Sequence, residues 1–252
     1  MKDIIENEIF RRFPKIDMHS HIGQRGQPFN IKADAEYIIE QMDTYNIEKT
    51  VLCSTKSMEY QEVLEAYKKY PDRIIPVARI DCSKGNEAYD LLEHLISNEN
   101  FKGGKIQSLF DGYAADAPCV DPAAEICEKY NVPLYVHSGH EPFSLPWQIG
   151  LLAEKHPKLK IVMLHMGHGH GIYVDAAINV AMRYENIYLE TSGTSMSAQI
   201  RNAYEKTRKV MFGIDIPFHA PSVEIQKVQA CGLGEDAVRD IFYNNAKRFL
   251  DL

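Results

Sequence analysis

The chain has 252 residues, of which 45% are hydrophobic and 25% charged, a composition typical of a folded soluble protein rather than a disordered one. Its 35 acidic and 28 basic residues give a formal charge of −7, which argues against general binding to nucleic acid or anionic membranes, because both need a cationic face. The N-terminus is too charged for a signal peptide, and the 14 uncharged residues 161–174 are too few for a membrane span. The five cysteines form no CxxC pair, so we expect reduced thiols in ordinary core positions and a cytoplasmic location.

Eight short runs rich in β-branched and aromatic residues recur along the chain and predict strands. They cover 15–21, 49–55, 74–80, 101–107, 133–139, 160–165, 186–192 and 210–216. Their ends lie 24 to 34 residues apart, which is about the length of chain that a strand, a helix and two loops require.

Helical patterns fill the segments between these runs. Apolar residues recur at helical spacing in 33–45, 59–70, 86–96, 146–156 and 236–250, and we expect a first helix at 3–13. Asp121 and Pro122 predict the N-cap and first turn of another helix. No hinge or low-complexity stretch interrupts the alternation, so we predict one α/β domain over residues 1–252, a (β/α)8 TIM barrel. The rival doubly wound open sheet usually has a Gly-rich phosphate loop after its first strand, and HSHIGQRG (19–26) is not such a loop.

Polar residues mark the ends of four predicted strands, where a barrel interior normally has Val, Ile or Leu. They are His19 and His21 on the first strand, His137 on the fifth, His165 on the sixth and Asp215 on the eighth. Side chains at i and i+2 share one face of a strand, so His19 and His21 can bind one divalent ion, and His137 and Asp215 could complete its shell. We expect one ion, with zinc first and manganese, iron or cobalt as alternatives, because these ligand types do not choose among them.

Five motifs spread over the whole chain carry a resemblance to a known family. They are IDMHSHIG (16–23), VHSGH (136–140), VMLHMGHGH (162–170), FGIDIPF (212–218) and DIFYNNAKRFLDL (240–252). Together they resemble the amidohydrolase superfamily, most closely its amidohydrolase-related branch of metal-dependent hydrolases and decarboxylases. The resemblance implies that His19, His21, His137 and Asp215 are metal ligands and that Asp215 accepts a proton from the metal-bound water. It implies that His165 contacts the substrate or the catalytic water.

The chain departs from this branch after the sixth strand. The branch often has HxGG there, whereas His165 is followed by Met166, Gly167 and His168. His168 and the nearby His170 then either line the pocket or cap the following helix. Binuclear members of the superfamily use a carboxylated lysine on the fourth strand, where this chain has Lys105. The branch implies the one-metal arrangement instead.

The primary prediction is a metal-dependent hydrolase that acts on a small-molecule amide, ester or lactone through a metal-activated water, with Asp215 and His165 as catalytic residues. The alternative is non-oxidative decarboxylation of a small carboxylic acid at the same site, which a cation near the metal would favour. The candidate cations and further substrate-binding residues are Arg25, Arg79, His140 and His168.

A binding protein and a nuclease are two other functions that this fold could carry. A non-catalytic, metal-dependent binding protein is a third alternative, because ligands alone do not establish catalysis. A related group of nucleases places a glutamate on the fourth strand, and residues 101–107 contain no carboxylate. We therefore expect a small-molecule substrate, no nucleic acid, no membrane and, by base rate only, a homodimer.

Overall fold

Strands and helices alternate through the computed structural model, which describes residues 8–168 and 171–252. The strands are β1 (Lys15–Arg25), β2 (Ile31–Ala33), β3 (Ile47–Ser54), β4 (Ile74–Pro76), β5 (Ala78–Ile80), β6 (Gly104–Ile106), β7 (Leu134–His137), β8 (Ile161–Leu164), β9 (Ile187–Glu190) and β10 (Val210–Met211). The helices are α1 (Ala35–Tyr45), α2 (Gln61–Lys69), α3 (Asn86–Asn98), α4 (Ser108–Asp111), α5 (Asp121–Lys129), α6 (Pro146–Lys155), α7 (Gly171–Arg183), α8 (Ser197–Thr207), α9 (Pro221–Gln229), α10 (Glu235–Arg239) and α11 (Asn245–Phe249).

The strands form two sheets that together make the predicted barrel. One sheet has the order β2-β1-β3-β4 and the other the order β10-β9-β8-β7-β6-β5. All neighbours pair in parallel except β1 and β2, whose antiparallel ribbon the sequence did not predict. Separate backbone hydrogen bonds join the sheets in place of a continuous ladder. On one side Met18 N–H donates to Phe212 O, Asp215 N–H to His19 O and His21 N–H to Ile216 O. On the other side Val77 N–H donates to Leu52 O.

Two layers of apolar side chains surround the strands. One layer lies between the strands and the helices, and the other fills the barrel interior below the site. The interior layer takes alternate residues from several strands, as a parallel barrel requires. Its members include Ile16, Met18, Val51, Cys53, Ile75, Val77, Tyr135, Val162, Leu164 and Met211.

A register shift in β1 brings polar residues into the upper part of the barrel. It falls between Asp17 and Ser20, so it begins after the interior residue Ile16 and includes Met18. The buried Asp17 carboxylate holds this irregularity, because it accepts hydrogen bonds from Ser20 Oγ at 2.6 Å and from Ile214 N–H at 2.9 Å. Asp17 therefore ties the first strand to the segment that follows the last one.

Some predicted boundaries differ from the structure. Asp121 is the first residue of α5 rather than its N-cap, and its carboxylate contacts Lys155 and His156 instead of a backbone N–H. The predicted closing helix contains a π-helical segment, Asp240–Asn244, between α10 and α11. Residues 3–7 of the predicted first helix, and His170, lie outside the described residues, and residues 8–11 of that prediction are helical. Across 8–168 and 171–252, every helix is too short or too polar to cross a membrane.

Candidate metal centre

A cavity of about 450 Å³ opens at the carboxyl ends of the barrel strands, where TIM-barrel active sites lie. It brings together every site residue that the sequence predicted. Its lining includes His19, His21, Arg25, Arg79, His137, His140, His165, His168 and Asp215. Residues far apart in the chain therefore converge on one chamber because they occupy the same ends of neighbouring strands.

His19, His21 and Asp215 form the innermost cluster. The Nε2 atoms of His19 and His21 lie 3.3 and 3.2 Å from Asp215 Oδ1. The Nδ1–H of His21 donates to the Ser54 carbonyl at 3.0 Å, which leaves Nε2 unprotonated toward Asp215. Lys105 lies against the same atoms, with its Nζ 3.0 Å from His19 Nε2 and 3.1 Å from His21 Nε2.

Burial sets the protonation of this cluster. It lowers the pKa values of the His19, His21, His137 and His165 imidazoles well below their usual range, and neighbouring positive charges such as Lys105 add to the effect. Burial also raises the pKa of Asp215 well above its usual range, against the opposing charge of Lys105. Neutral imidazoles are the form that binds metal, so the cluster is prepared for a cation.

A buried glutamate holds His165 in place. The Nδ1–H of His165 donates to Ser192 Oγ at 2.9 Å, and Ser192 Oγ–H donates to Glu190 Oε2 at 2.8 Å. Glu190 also accepts the backbone N–H groups of His165 at 3.0 Å and of Ser192 at 2.5 Å. Gly213 makes room for this carboxylate, because a Cβ there would lie 2.0 Å from Glu190 Oε1. The Nε2 atom of His165 is thereby left for the cavity.

The backbone is strained at three residues that line the cavity. His165, His168 and Asp215 have φ values of 65°, 59° and 67°, a left-handed region that is costly for side chains with a Cβ. The loops after β7 and β8 also approach closely, since a Cβ on Gly139 would lie 2.4 Å from Gly167 O. Such strain is concentrated at functional sites, where precise side-chain placement compensates for it.

The donor atoms fit a divalent cation. Ligand atoms of His19, His165 and Asp215 all lie within 4.8 Å of one another, and those of His19, His21 and Cys53 do the same. Asp215 Oδ1 is buried and has no hydrogen-bond partner among the described residues, as expected for an oxygen reserved for an ion. The two sets share His19 and combine imidazole with either carboxylate or thiol.

The predicted roles of His165 and His137 do not match these two sets of possible ligands. His165, expected to contact substrate, lies among the ligand-competent atoms. His137, expected as a ligand, belongs to neither three-residue set within 8–168 and 171–252. Its Nε2 lies 2.8 Å from His140 Nδ1, and its ring lies 4.7 Å from that of His165. A ligand role for His137 stays a prediction.

Another part of the cavity lining combines cations with aromatic rings. Arg79 is 4% exposed, and its Nη1 donates to Thr55 O at 2.6 Å. Arg25 lies over two rings, with its Cζ 4.0 Å from the Phe110 centroid and 5.1 Å from that of Phe29. The cavity therefore has a metal-binding side, a cationic side and an apolar rim.

Sequence analysis missed several residues of the site. Gln107, Phe29 and Phe110 line the cavity without a motif that marks them. Cys53 lies in the core as expected, but its position within ligand reach of His19 and His21 was not predicted. Strand alternation does not decide whether Glu190 or Thr191 faces inward, and the structure assigns the site contact to Glu190.

We compared the chain with known proteins by sequence and by structure. A search of curated proteins finds no sequence match. A 2,6-dihydroxybenzoate decarboxylase from Rhizobium superposes with a TM-score of 0.74 at 18% identity, covering 95% of this chain and 99% of that one. A 5-carboxyvanillate decarboxylase from Novosphingobium aromaticivorans, complexed with manganese and 4-hydroxy-3-methoxy-5-nitrobenzoic acid, gives 0.74 at 17% identity, with 96% and 97% covered. A putative amidohydrolase from Staphylococcus aureus gives 0.75 at 16% identity, with 95% and 100% covered.

At these identities the structural likeness confirms the TIM-barrel fold and nothing finer. The sequence itself carries the family assignment, because the amidohydrolase family model matches residues 16–252. This range includes the HxH pair, the strand-end histidines and Asp215. The chain therefore belongs to the amidohydrolase family.

Proposed function

We propose that this protein is a metal-dependent, non-oxidative decarboxylase of a small aromatic or unsaturated carboxylic acid. The observation that carries the proposal is Arg79, a buried guanidinium in the wall of the cavity that holds the metal donors. Its Nε atom has no hydrogen-bond partner in the described part of the chain. A buried cation with an unused donor is suited to a carboxylate, which forms strong charge-assisted hydrogen bonds with guanidinium.

The charge balance on this side of the cavity also favours an anion. Arg25 and Arg79 are both near Asp111. Burial raises the pKa of the Asp111 carboxyl above its usual value, and the positive charge of Arg79 opposes this only in part. Ser57 Oγ–H donates to the Asp111 carboxylate at 3.0 Å, so that carboxylate already has a partner. Two guanidinium groups against one carboxylate leave a net positive wall.

The rim of the cavity suits a planar ring. Phe29 lies 5.9 Å from Phe110 and 5.5 Å from Phe218, measured between ring centroids in edge-to-face geometry. The volume of about 450 Å³ fits a small substrate. Two of the enzymes of similar fold described above decarboxylate benzoate derivatives, which agrees with these features and supports the proposal.

The reaction requires a positioned carboxylate and a proton. A divalent ion bound by His19, His21, His165 and Asp215 would act as a Lewis acid and orient the substrate. A proton adds to the carbon that bears the carboxylate, the carbon–carbon bond breaks with its electron pair returning to the substrate, and carbon dioxide leaves. Asp215 is the group we assign to carry this proton, because its second oxygen, Oδ2, is not needed by the ion and lies toward the cavity residue His219, 3.9 Å from His219 Nε2.

The rival reaction is the hydrolysis of a small amide, ester or lactone, for which the same donors would serve. One divalent ion with zinc first, a homodimer, a cytoplasmic location and one domain over residues 1–252 remain predictions. Substrate-binding roles for Arg25, His140 and His168 are part of the proposal, and all three line the cavity.

The experiment compares the two reactions on one enzyme preparation. Metal-loaded protein is incubated with hydroxylated benzoates and, separately, with esters, lactones and amides of similar size, while carbon dioxide and products are measured. We expect carbon dioxide from at least one acid, and a loss of about 100-fold or more in kcat/KM for Arg79→Gln, the scale of a buried charged hydrogen bond of about 3 kcal/mol. Arg201→Gln, an exposed arginine outside the cavity wall, is the matched control. Turnover confined to esters, lactones or amides would establish hydrolysis and overturn the proposal.

A further inference from the structure

Cys53 lies beside the proposed metal ligands, although nothing in the family resemblance gives it a role. It belongs to β3, and the parallel register pairs it directly with His21 on β1. Its Sγ atom is 3.3 Å from His21 Nδ1 and 3.6 Å from the Ser20 carbonyl oxygen. The side chain is 2% exposed and faces the barrel interior at its upper end.

These donors lie near one another but not yet at the spacing of bound ligands, because the 3.3 Å contact of Sγ is with His21 Nδ1, the nitrogen that donates to Ser54 O, and not with Nε2. Two ligands of a tetrahedral zinc, at bond lengths of about 2.0 and 2.3 Å, lie roughly 3.3 to 3.6 Å apart. Ligand atoms of His19, His21 and Cys53 all lie within 4.8 Å of one another, so small side-chain rotations would bring them to this spacing. The cluster is therefore more than a cysteine packed in the core.

A second observation indicates that this cluster is built around positive charge. The Lys105 ammonium donates to His19 and His21 at 3.0 and 3.1 Å, and it also interacts with the Cys53 thiol. Burial raises the pKa of this thiol, and the positive charges of Lys105 and Arg79 oppose that effect. The Lys105 ammonium thus lies near all three donor side chains, where a metal ion would bind.

We propose that Cys53 is a ligand of the metal centre and that its thiolate makes the centre selective for zinc or cobalt over manganese. The inference rests on the metal centre of the proposed function. Thiolate is a soft ligand that favours zinc, whereas a site of imidazole and carboxylate alone accepts manganese as well. On coordination the sulfur–hydrogen bond breaks, the proton passes to solvent, and the ion takes the position of the Lys105 ammonium.

Cobalt provides a direct test, because thiolate bound to cobalt(II) gives a charge-transfer absorption in the near ultraviolet that nitrogen and oxygen ligands do not give. The full-length protein is stripped of metal and titrated with cobalt(II), and visible d–d absorption reports binding independently. We expect the near-ultraviolet band to saturate at one equivalent and to disappear in Cys53→Ala and Cys53→Ser. Cys127→Ala is the matched control, since Cys127 is equally buried but its Sγ lies beside Gly104 of the barrel wall.

Competition between metals gives a second readout. Loss of a residue that only hydrogen-bonds to a metal ligand lowers metal affinity by about 10–100-fold. We therefore expect loss of the ligand itself, in Cys53→Ala, to weaken zinc binding by about 100-fold or more and manganese binding by less than tenfold. Cobalt that binds without the near-ultraviolet band overturns the role of Cys53, while decarboxylation by that protein leaves the proposed function intact. Failure of the wild-type chain to bind zinc or cobalt overturns the role of Cys53, and failure to bind any divalent ion, manganese included, overturns the proposed function as well.

Discussion

Glu190→Gln is the substitution that tests how the site holds His165. The carboxylate accepts three hydrogen bonds, from His165 N–H at 3.0 Å, Ser192 N–H at 2.5 Å and Ser192 Oγ–H at 2.8 Å. Two of these reach Oε2 and one reaches Oε1. Glutamine has one acceptor oxygen and an NH2 group, so at least one N–H would face another N–H in a buried place.

The size of the effect follows from this count. A lost hydrogen bond to a charged group, together with an unsatisfied buried donor, costs about 2–3 kcal/mol. For a chain of this length each kilocalorie lowers the melting temperature by roughly 2–4 °C, so we expect a decrease of about 5–10 °C. The shift of Ser192 also loosens the Nδ1–H bond that orients His165. We therefore expect zinc affinity or kcat to fall by about 10–100-fold, as for other outer partners of metal-site residues.

The assay is thermal unfolding of metal-free protein, followed by zinc titration and turnover of the loaded enzyme. Glu125→Gln makes the same chemical change on an exposed face of α5 and should leave all three quantities unchanged. Ser192→Ala should be non-additive with Glu190→Gln, because both changes break one network. A Glu190→Gln protein with wild-type melting temperature, zinc affinity and kcat would refute the role of Glu190 in placing His165.

Three further outcomes are expected from the same structure. Gly213→Ala puts a Cβ 2.0 Å from Glu190 Oε1, so its melting temperature should fall at least as far as that of Glu190→Gln; in a Glu190→Ala background, calorimetry should show much of that loss removed. Lys15 Nζ donates hydrogen bonds to the carbonyls of Phe10, Phe13 and Tyr45 at 2.6, 2.6 and 2.9 Å, and Lys15→Met removes this donor. The free energy of unfolding in urea should then fall by about 2–4 kcal/mol, and an unchanged urea midpoint would contradict this. Chelation of the metal should lower the melting temperature. Zinc at 100 times its Kd should raise the free energy of unfolding by about 2.7 kcal/mol in the wild type but not in His19→Ala. An equal gain in both proteins would show that His19 is not a ligand.

The barrel and its polar strand ends were predictable because local chemistry sets them. Strand-length apolar runs and helical periodicity depend only on neighbouring residues, and every predicted run overlaps an observed strand. Because parallel strands present their carboxyl ends at one face, His19, His21, His165 and Asp215 had to converge there. The sequence alone thus determined the fold class, the face that carries the site and its main titratable residues.

The distances within the site depended on the tertiary structure. A single register shift after Asp17 turns His19 and His21 into the cavity, and the β1–β3 register places Cys53 beside His21. Whether Glu190 or Thr191 faces the site, and whether His165 or His137 lies closest to Asp215, also follows from how neighbouring strands slide and twist. These contacts join residues that are far apart in the chain, so no local pattern encodes them; packing across the whole barrel decides which donor atoms come within reach of one ion.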